Sequence, residues 1–154
     1  MDSDPRRSFG ASSARYAGVS EEAAPKKKAA FVDDDEAVCD ALGMLLRASG
    51  MRVETFNSAQ AFLNIYRPQR PGCLLLDIRM PGMSGLDLQD ELHKRRYAIP
   101  IIFLTGHGDV PLAVRALKRG AIDFIEKPHE EERLVLAVAN ALHADAERRR
   151  DQWK

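Results

Sequence analysis

The chain contains 154 residues, 45% of them hydrophobic and 30% charged, which is the profile of a soluble globular protein with one buried core. Lysine plus arginine balance aspartate plus glutamate at 23 each, so overall charge gives no argument for a nucleic-acid or membrane partner. No apolar run reaches the ~18 residues that a membrane span needs. The two cysteines fall inside a predicted helix and a predicted strand, which favours a reducing cytoplasmic compartment without disulfides.

The first 28 residues differ in composition from the rest of the chain. They mix serine, alanine, glycine, proline and charge, and they lack the apolar segment of a secretory signal. We therefore expect residues 1–28 to be a flexible leader that precedes the folded domain.

From residue 29 onward, short apolar runs alternate with stretches of helical periodicity. The predicted strands are residues 29–32, 52–56, 73–76, 101–104 and 121–125. A helix follows each strand, and these helices start at or beside Ala37, Ser58, Ser84, Val110 and Glu130. The residues expected to face inward are Leu86 and Leu92 in the third helix, Val110, Val114 and Leu117 in the fourth, and Leu134, Val138 and Leu142 in the last. Strict alternation predicts an α/β fold, a parallel sheet with helices on both faces, because crossovers between parallel strands are right-handed.

Polar side chains follow four of the five predicted strands. They are Asp33 and Asp34 after the first strand, Asp77 after the third, Thr105 after the fourth and Lys127 after the fifth. The carboxyl ends of parallel strands lie at one edge of the sheet, where ligands bind in open α/β folds. We therefore expect these five side chains to converge.

This group of residues has a specific chemical use. Three neighbouring carboxylates repel one another unless a cation joins them, and Mg²⁺ typically binds one or two carboxylates together with water and phosphate oxygens. An aspartate beside the metal can accept a phosphoryl group as an acyl phosphate. Lys127 can neutralise phosphate oxygens, and the Thr105 hydroxyl can donate a hydrogen bond to them.

Four segments resemble the receiver domain of two-component response regulators. They read FVDDDEAV at the first strand, LLLDIRMPGMSG at the third, IIFLTGHGD at the fourth and DFIEKP at the fifth. The resemblance implies a flavodoxin-like, doubly wound (βα)5 fold with strand order 2-1-3-4-5, in which residues 29–142 form the receiver domain. The segment from Thr105 to Pro128 is most similar to receivers that are joined to a helix-turn-helix DNA-binding domain of the LuxR type.

The resemblance also implies a role for each residue of the site. Asp77 is the phosphoacceptor, Thr105 and Lys127 hold the phosphoryl group, and Phe124 is the aromatic switch residue. Mg²⁺, with Mn²⁺ able to substitute, is bound by Asp34 directly, by Asp33 through water, by Asp77 and by the backbone carbonyl of Arg79. The side chains of Arg79 and His107 are expected to affect how long the phosphate lasts, and the Lys127–Pro128 bond is a candidate cis peptide.

The implied function is a phosphorylation switch rather than an enzyme, with only self-phosphorylation from a donor and slow autodephosphorylation as chemistry. A sensor histidine kinase supplies the phosphate, and the fourth helix, fifth strand and last helix form the output surface. Its expected members are Leu112, Arg115, Lys118 and Asp123. Phosphorylation-dependent homodimerisation is expected, and no membrane partner is indicated.

Residues 143–154 continue in helix-favouring alanine, glutamate and arginine. They are interpreted as a charged helical extension or as a linker toward a DNA-binding domain that is absent from this sequence. The residues themselves include no DNA reader, so no specific DNA binding by this chain is expected.

Three other functions are compatible with parts of the sequence. Asp33 and Asp35 form an Asp-x-Asp pair after the first strand, as in phosphohydrolases of the haloacid dehalogenase type, where Asp33 would be the nucleophile. A flavodoxin-like electron carrier would need a phosphate-binding loop after the first strand, which the acidic run does not provide. A receiver-shaped binding module that is never phosphorylated would not need the complete acidic set.

Overall fold

The computed structural model describes residues 28–70, 72–106, 108–127 and 130–152. The expectations for a leader over residues 1–27, for His107 and for the Lys127–Pro128 bond lie outside the described residues. None of the described helices combines the length and apolar character that a membrane span requires.

Five strands and five helices alternate along the described part of the chain. The strands are β1 Lys28–Val32, β2 Val53–Phe56, β3 Gly72–Asp77, β4 Ile101–Thr105 and β5 Asp123–Glu126. The helices are α1 Glu36–Ala48, α2 Ala59–Ile65, α3 Gly85–Lys94, α4 Val110–Lys118 and α5 Glu131–Gln152. Each predicted element is present, with boundaries shifted by a few residues; β1, for example, begins at Lys28.

The strands form one parallel sheet in the order β2-β1-β3-β4-β5. β3 lies at the centre, where Leu76 pairs with Val32 of β1 on one side and with Phe103 of β4 on the other. This register places the carboxyl ends of β1, β3 and β4 side by side. The predicted fold class and strand order are confirmed.

Two hydrophobic layers cover the sheet, one on each face. α1 and α5 pack on one face, with Cys39, Leu42, Leu46, Leu134, Ala137, Val138 and Ala141 buried against the strands. α2, α3 and α4 cover the other face through Phe62, Leu63, Leu88, Leu92, Ala113 and Ala116. Cys39 and Cys73 are both free thiols in the core, as the sequence predicted. The strands β1, β3 and β4 are buried on both faces because helices cover both sides.

The inward faces of α3 and α4 differ from the sequence prediction. Val114 was expected to face inward but is 39% exposed, whereas Ala113 and Ala116 are fully buried. The small alanines let the backbone of α4 approach the sheet closely, so the bulkier Val114 lies at the flank of the helix. In α3 Leu88, Gln89 and Leu92 are fully buried, and Leu86 is only half-buried.

α5 continues without a break past residue 142, and its last third contacts the domain. Asp145 is buried, and its carboxylate accepts a hydrogen bond of 2.9 Å from the backbone N–H of Gly72, the first residue of β3. Arg149 donates to the backbone carbonyls of Pro68, Gln69 and Arg70. These contacts anchor the end of α5 at the amino edge of the sheet.

Candidate functional site

The three aspartates that follow β1 have two different roles. Asp35 is the N-cap of α1, and its carboxylate accepts hydrogen bonds from the N–H groups of Ala37 and Val38. This capping contact directs the Asp35 side chain toward the helix terminus. Asp33 and Asp34 are left at the carboxyl edge of the sheet, where their oxygens approach Asp77.

Asp33, Asp34 and Asp77 form a cluster in which one oxygen from each carboxylate lies within 4.8 Å of the others. Lys127 contributes a positive charge. Its Nζ lies 3.6 Å from Oδ2 of Asp33 and 3.8 Å from Oδ1 of Asp77. The structure therefore brings together the acidic residues and the lysine that the sequence placed at three strand ends.

Two buried oxygens beside this cluster lack hydrogen-bond partners among the described residues. They are Oδ2 of Asp33 and Oγ1 of Thr105, and both residues are almost fully buried. Leaving a buried polar atom unpaired costs about 1 to 3 kcal/mol, so native proteins rarely do so without a ligand or an ion to complete the site. The three carboxylates, one with an unsatisfied buried oxygen, fit a hard divalent cation, and the Thr105 hydroxyl is available to an anionic ligand.

The surroundings of Asp33 and Asp77 favour the protonated forms of these two acids when no metal ion is present. Burial raises the pKa of Asp77 to about 6, and the neighbouring charge of Asp33 adds to the increase. Lys127 and the backbone N–H of Arg79 oppose this shift by stabilising the Asp77 carboxylate. Burial also raises the pKa of Asp33. A bound dication would reverse both effects because it stabilises the charged carboxylates.

Thr105 and Lys127 are held in place by the adjoining ends of β4 and β5. The backbone N–H of Lys127 donates to the carbonyl of Thr105 at 2.8 Å. Phe124 lies on β5 beside Phe103 and is half-buried against the layer formed by α2, α3 and α4. The predicted switch residue thus lies on β5, which β4 separates from β3 and Asp77.

The sequence prediction missed the role of Asp109, the residue that precedes α4. Its carboxylate is bound by the Arg79 guanidinium, with Nε at 2.8 and 2.9 Å from the two oxygens and Nη2 at 2.7 Å from Oδ1. The helix-start signal, an aspartate before Val110 and Pro111, marks Asp109 as a cap. The identity of its partner depends on the path of the loop after β3, which local sequence does not specify.

Gly85, the first residue of α3, allows that helix to lie directly against the end of β3. A Cβ atom at Gly85 would lie 2.3 Å from the backbone oxygen of Asp77 and 3.0 Å from Cα of Ile78. The Gly85 N–H donates to the carbonyl of Ile78 at 2.9 Å. The sequence predicts only a helix start beside Ser84, so the close approach of Gly85 to Asp77 is a further feature that sequence reasoning missed.

Comparison with known proteins agrees with this geometry. Residues 29–139 match the family model described as the response regulator receiver domain. The chain is 55% identical over 112 residues to the response regulator protein TmoT of Ectopseudomonas mendocina, covering 73% of this chain and 51% of the relative. It is 47% identical over 121 residues to the transcriptional regulatory protein FixJ of Azorhizobium caulinodans, covering 79% of this chain and 57% of the relative.

A solved structure supports the same assignment. The response regulator StyR superposes with a TM-score of 0.78 and 50% sequence identity, covering 82% of this chain and 64% of that chain. The chain spans about half the length of the curated relatives it matches. The family match covers most of the chain and agrees with the fold and with the sequence resemblance. The chain belongs to the response regulator receiver domain family of two-component signal transduction.

Proposed function

We propose that Asp77 accepts a phosphoryl group from a sensor histidine kinase and that this modification switches the surface formed by α4, β5 and α5. The observation that carries the proposal is the pair of unsatisfied buried oxygens, on Asp33 and Thr105, at the strand ends that flank Asp77. Such atoms are uncommon in native proteins, and two of the four in the described residues lie at this site, the other two being Gln89 Oε1 and Arg148 Nε. A phosphoryl group and its counterion would supply what they lack.

The transfer step uses the Asp77 carboxylate as the nucleophile. One of its oxygens attacks the phosphorus of a phosphohistidine, the P–N bond breaks, and an acyl phosphate forms. The imidazole nitrogen leaves with the bonding electron pair and takes up a proton. Lys127, already within 3.8 Å of Asp77, stabilises the charge on the phosphoryl oxygens, and the Thr105 hydroxyl donates a hydrogen bond to one of them.

The acidic residues are suited to hold Mg²⁺, for which Mn²⁺ would substitute. The proposed ligands are the carboxylates of Asp34 and Asp77, Asp33 through water, and the backbone carbonyl of Arg79. When bound, the cation neutralises charge on the carboxylates and on the transferring phosphoryl group. The residues themselves position the nucleophile and the lysine at the carboxyl edge of the sheet, where Asp33 is buried, Asp77 is half-buried and Asp34 is exposed.

The proposed output follows from attraction of Thr105 toward the new charge of about −2. Movement of its side chain frees space for Phe124 to turn inward, which alters the surface that includes Leu112, Arg115, Lys118 and Asp123. We infer that the altered surface promotes homodimerisation. Slow autodephosphorylation would return the domain to its resting state.

The domain organisation and the wider role are part of the proposal. Residues 1–28 would form a leader, residues 29–142 the receiver domain, and residues 143–154 a charged helical extension or linker. Because relatives such as FixJ are named as transcriptional regulatory proteins, we infer that the receiver controls transcription through a DNA-binding domain of the LuxR type. The residues of this chain would not bind DNA specifically by themselves.

Acetyl phosphate tests the proposal directly. Intact-mass measurement should show one phosphoryl group per chain, dependent on Mg²⁺ and removed by alkali. The Asp77→Asn variant should gain none, whereas Asp40→Asn, at an exposed position of α1, should behave as the unmodified sequence does. Phosphorylation that survives in Asp77→Asn would refute the assignment of the phosphoacceptor.

The same assay separates this function from the phosphohydrolase alternative, which the family match does not support. A phosphohydrolase of that type would release inorganic phosphate with continuous turnover and would depend on Asp33 as nucleophile. The proposed receiver should instead take up a single phosphate and release it slowly.

A further inference from the structure

Asp109 occupies the N-cap position of α4 but does not cap the helix. The capping residues of α1, α2 and α3 each accept hydrogen bonds from N–H groups of their own helices. The Asp109 carboxylate makes no such bond. Asparagine and aspartate are favoured at N-caps because their side chains satisfy these N–H groups, so the arrangement at Asp109 forgoes a contact that stabilises other helices.

Both oxygens of Asp109 are instead bound by Arg79. The carboxylate is only 10% exposed, and its ion pair with Arg79 lowers the pKa of Asp109. The Arg79 side chain is 72% exposed, so it can move without breaking packing contacts in the core. An almost buried anion thus depends on an exposed cation.

Arg79 also contacts the phosphoacceptor. Its backbone N–H lowers the pKa of the Asp77 carboxyl group, while its side chain holds Asp109. One residue therefore links the end of β3 to the start of α4. A charge change at Asp77 acts on Arg79 directly, without passing through the hydrophobic core.

A phosphoryl group at Asp77 would compete with Asp109 for the guanidinium. It carries a charge of about −2 and three acceptor oxygens, whereas Asp109 carries a single negative charge. Arginine binds phosphate through paired hydrogen bonds, so the exchange replaces one two-point contact with another. Asp109, once released, is already at the cap position. The N–H that its carboxylate would cap is that of Leu112, which now donates to the Asp109 backbone carbonyl at 3.0 Å.

We propose that the Arg79–Asp109 ion pair is a latch that holds the amino end of α4 in its resting position, and that phosphorylation of Asp77 opens it by drawing Arg79 to the phosphoryl group. This inference rests on the proposed function. It adds a polar connection to α4 that is separate from Thr105 and Phe124.

Beryllofluoride, which mimics a phosphoryl group on a carboxylate, is the probe for the latch. Asp109→Asn should bind beryllofluoride with Mg²⁺ roughly fivefold more tightly than the unmodified sequence, because the energy of the latch no longer opposes binding. In ¹H–¹⁵N spectra without the probe, the amides of Val110, Leu112 and Ala113 should shift toward the positions that they adopt with the probe bound.

The chain offers a matched control at the other end of α4. Asp90 of α3 forms an ion pair with Arg119, which follows α4, so Asp90→Asn also removes an aspartate–arginine contact to this helix. It does not touch the loop after β3. Its beryllofluoride affinity should equal that of the unmodified sequence, and an increase matching that of Asp109→Asn would refute the latch.

Arg79→Gln separates the loss of the Arg79–Asp109 ion pair from the movement of Arg79 to the phosphoryl group. Without the probe it should produce the same amide shifts as Asp109→Asn, since either variant breaks the ion pair. It should bind beryllofluoride more weakly than Asp109→Asn, because the guanidinium is lost. Equal affinities would show that Arg79 does not move to the phosphoryl group, whereas failure of the unmodified sequence to bind the probe at all would overturn the proposed function and the latch with it.

Discussion

Buried carboxylates lie at both ends of β3, Asp145 beside Gly72 at the amino end and Asp77 with Asp33 at the carboxyl end. Asp145 accepts hydrogen bonds from the Gly72 N–H at 2.9 Å, from Arg149 Nε at 2.8 Å and from Arg148 Nη2 at 2.7 Å. At the carboxyl end, Asp33 keeps an unsatisfied buried oxygen, and Lys127 lies at ion-pair distance from both acids.

The difference shows that burying a carboxylate has opposite consequences at the two ends of β3. The anion at the amino end has its donors built in, so the fold gains from keeping it charged. The acids at the carboxyl end repel each other and have too few donors, so they destabilise the empty site and favour a ligand that brings positive charge. About 17 Å of β-strand separates the two ends, which makes their effects separable by mutation.

The largest effect is expected at the amino end. Asp145→Ala should lower the free energy of unfolding by about 3 kcal/mol, because it leaves the Gly72 N–H and two arginines without their shared acceptor. Urea denaturation measures this loss. The matched control is Glu147→Ala on the same helix, which removes a solvent-exposed ion pair with Arg150 and should cost less than about 1 kcal/mol. Equal losses from the two variants would contradict the structural role of Asp145.

These two ends also differ in how well the sequence predicted them. Asp33, Asp77 and Lys127 could be placed together because each follows an apolar strand, and parallel strands end at one edge. Asp145 could not be identified, since it lies in a charged helical run and its partner, Gly72, is 73 residues away in sequence. The burial of such a residue depends on how far α5 extends along the sheet, which periodicity does not determine.

The same limit explains the other misses. The apolar residues of α4 suggested that Val114 faces inward, but close packing of the helix selected Ala113 and Ala116. The Arg79–Asp109 ion pair joins two loops whose paths are set by the tertiary fold. The layers and the acidic cluster follow from regular geometry, and the strand order was implied by the family resemblance, whereas contacts between loops follow from neither.

At the carboxyl end of β3 we expect a substitution to raise the free energy of unfolding rather than lower it. Burial raises the folded-state pKa of Asp77 from 3.8 to about 6, so the native state binds the proton more tightly than the unfolded chain. The contribution of Asp77 to stability therefore falls as pH rises from about 4 to 6 and stays low above it. Asp77→Asn cannot ionise, so in metal-free buffer at pH 8 it should be more stable by about 2 to 3 kcal/mol.

The decisive measurement is the difference in the free energy of unfolding between Asp77→Asn and the unmodified sequence as a function of pH. The advantage of Asp77→Asn should vanish near pH 4, where Asp77 is protonated, and should shrink when Mg²⁺ is added at pH 8. Asp109→Asn is an opposite-sign control, because Arg79 lowers the pKa of Asp109. It should lose stability at pH 8 and approach the unmodified sequence in acid. An Asp77→Asn advantage that does not depend on pH would point to packing rather than charge.

The smallest stability effect comes from a pair of glycines, one at each end of β3. A Cβ atom at Gly72 would lie 2.3 Å from the Lys28 backbone oxygen, and one at Gly85 would lie equally close to the Asp77 oxygen. Each alanine substitution therefore forces a backbone shift, which should cost about 2 kcal/mol. Thermal unfolding should place the two variants close together.

Their effects on phosphorylation should nevertheless differ, because only Gly85 touches the residue that reacts. Displacement of Asp77 by a fraction of an ångström disturbs its alignment with the phosphoryl donor, and such misplacement is costly for transfer. Gly85→Ala should slow phosphorylation by acetyl phosphate about tenfold or more, while Gly72→Ala should react at the rate of the unmodified sequence. Intact-mass measurements over time at saturating Mg²⁺ give these rates. If both variants slowed equally, strain at either end of β3 would reach Asp77, and the two ends would not be independent.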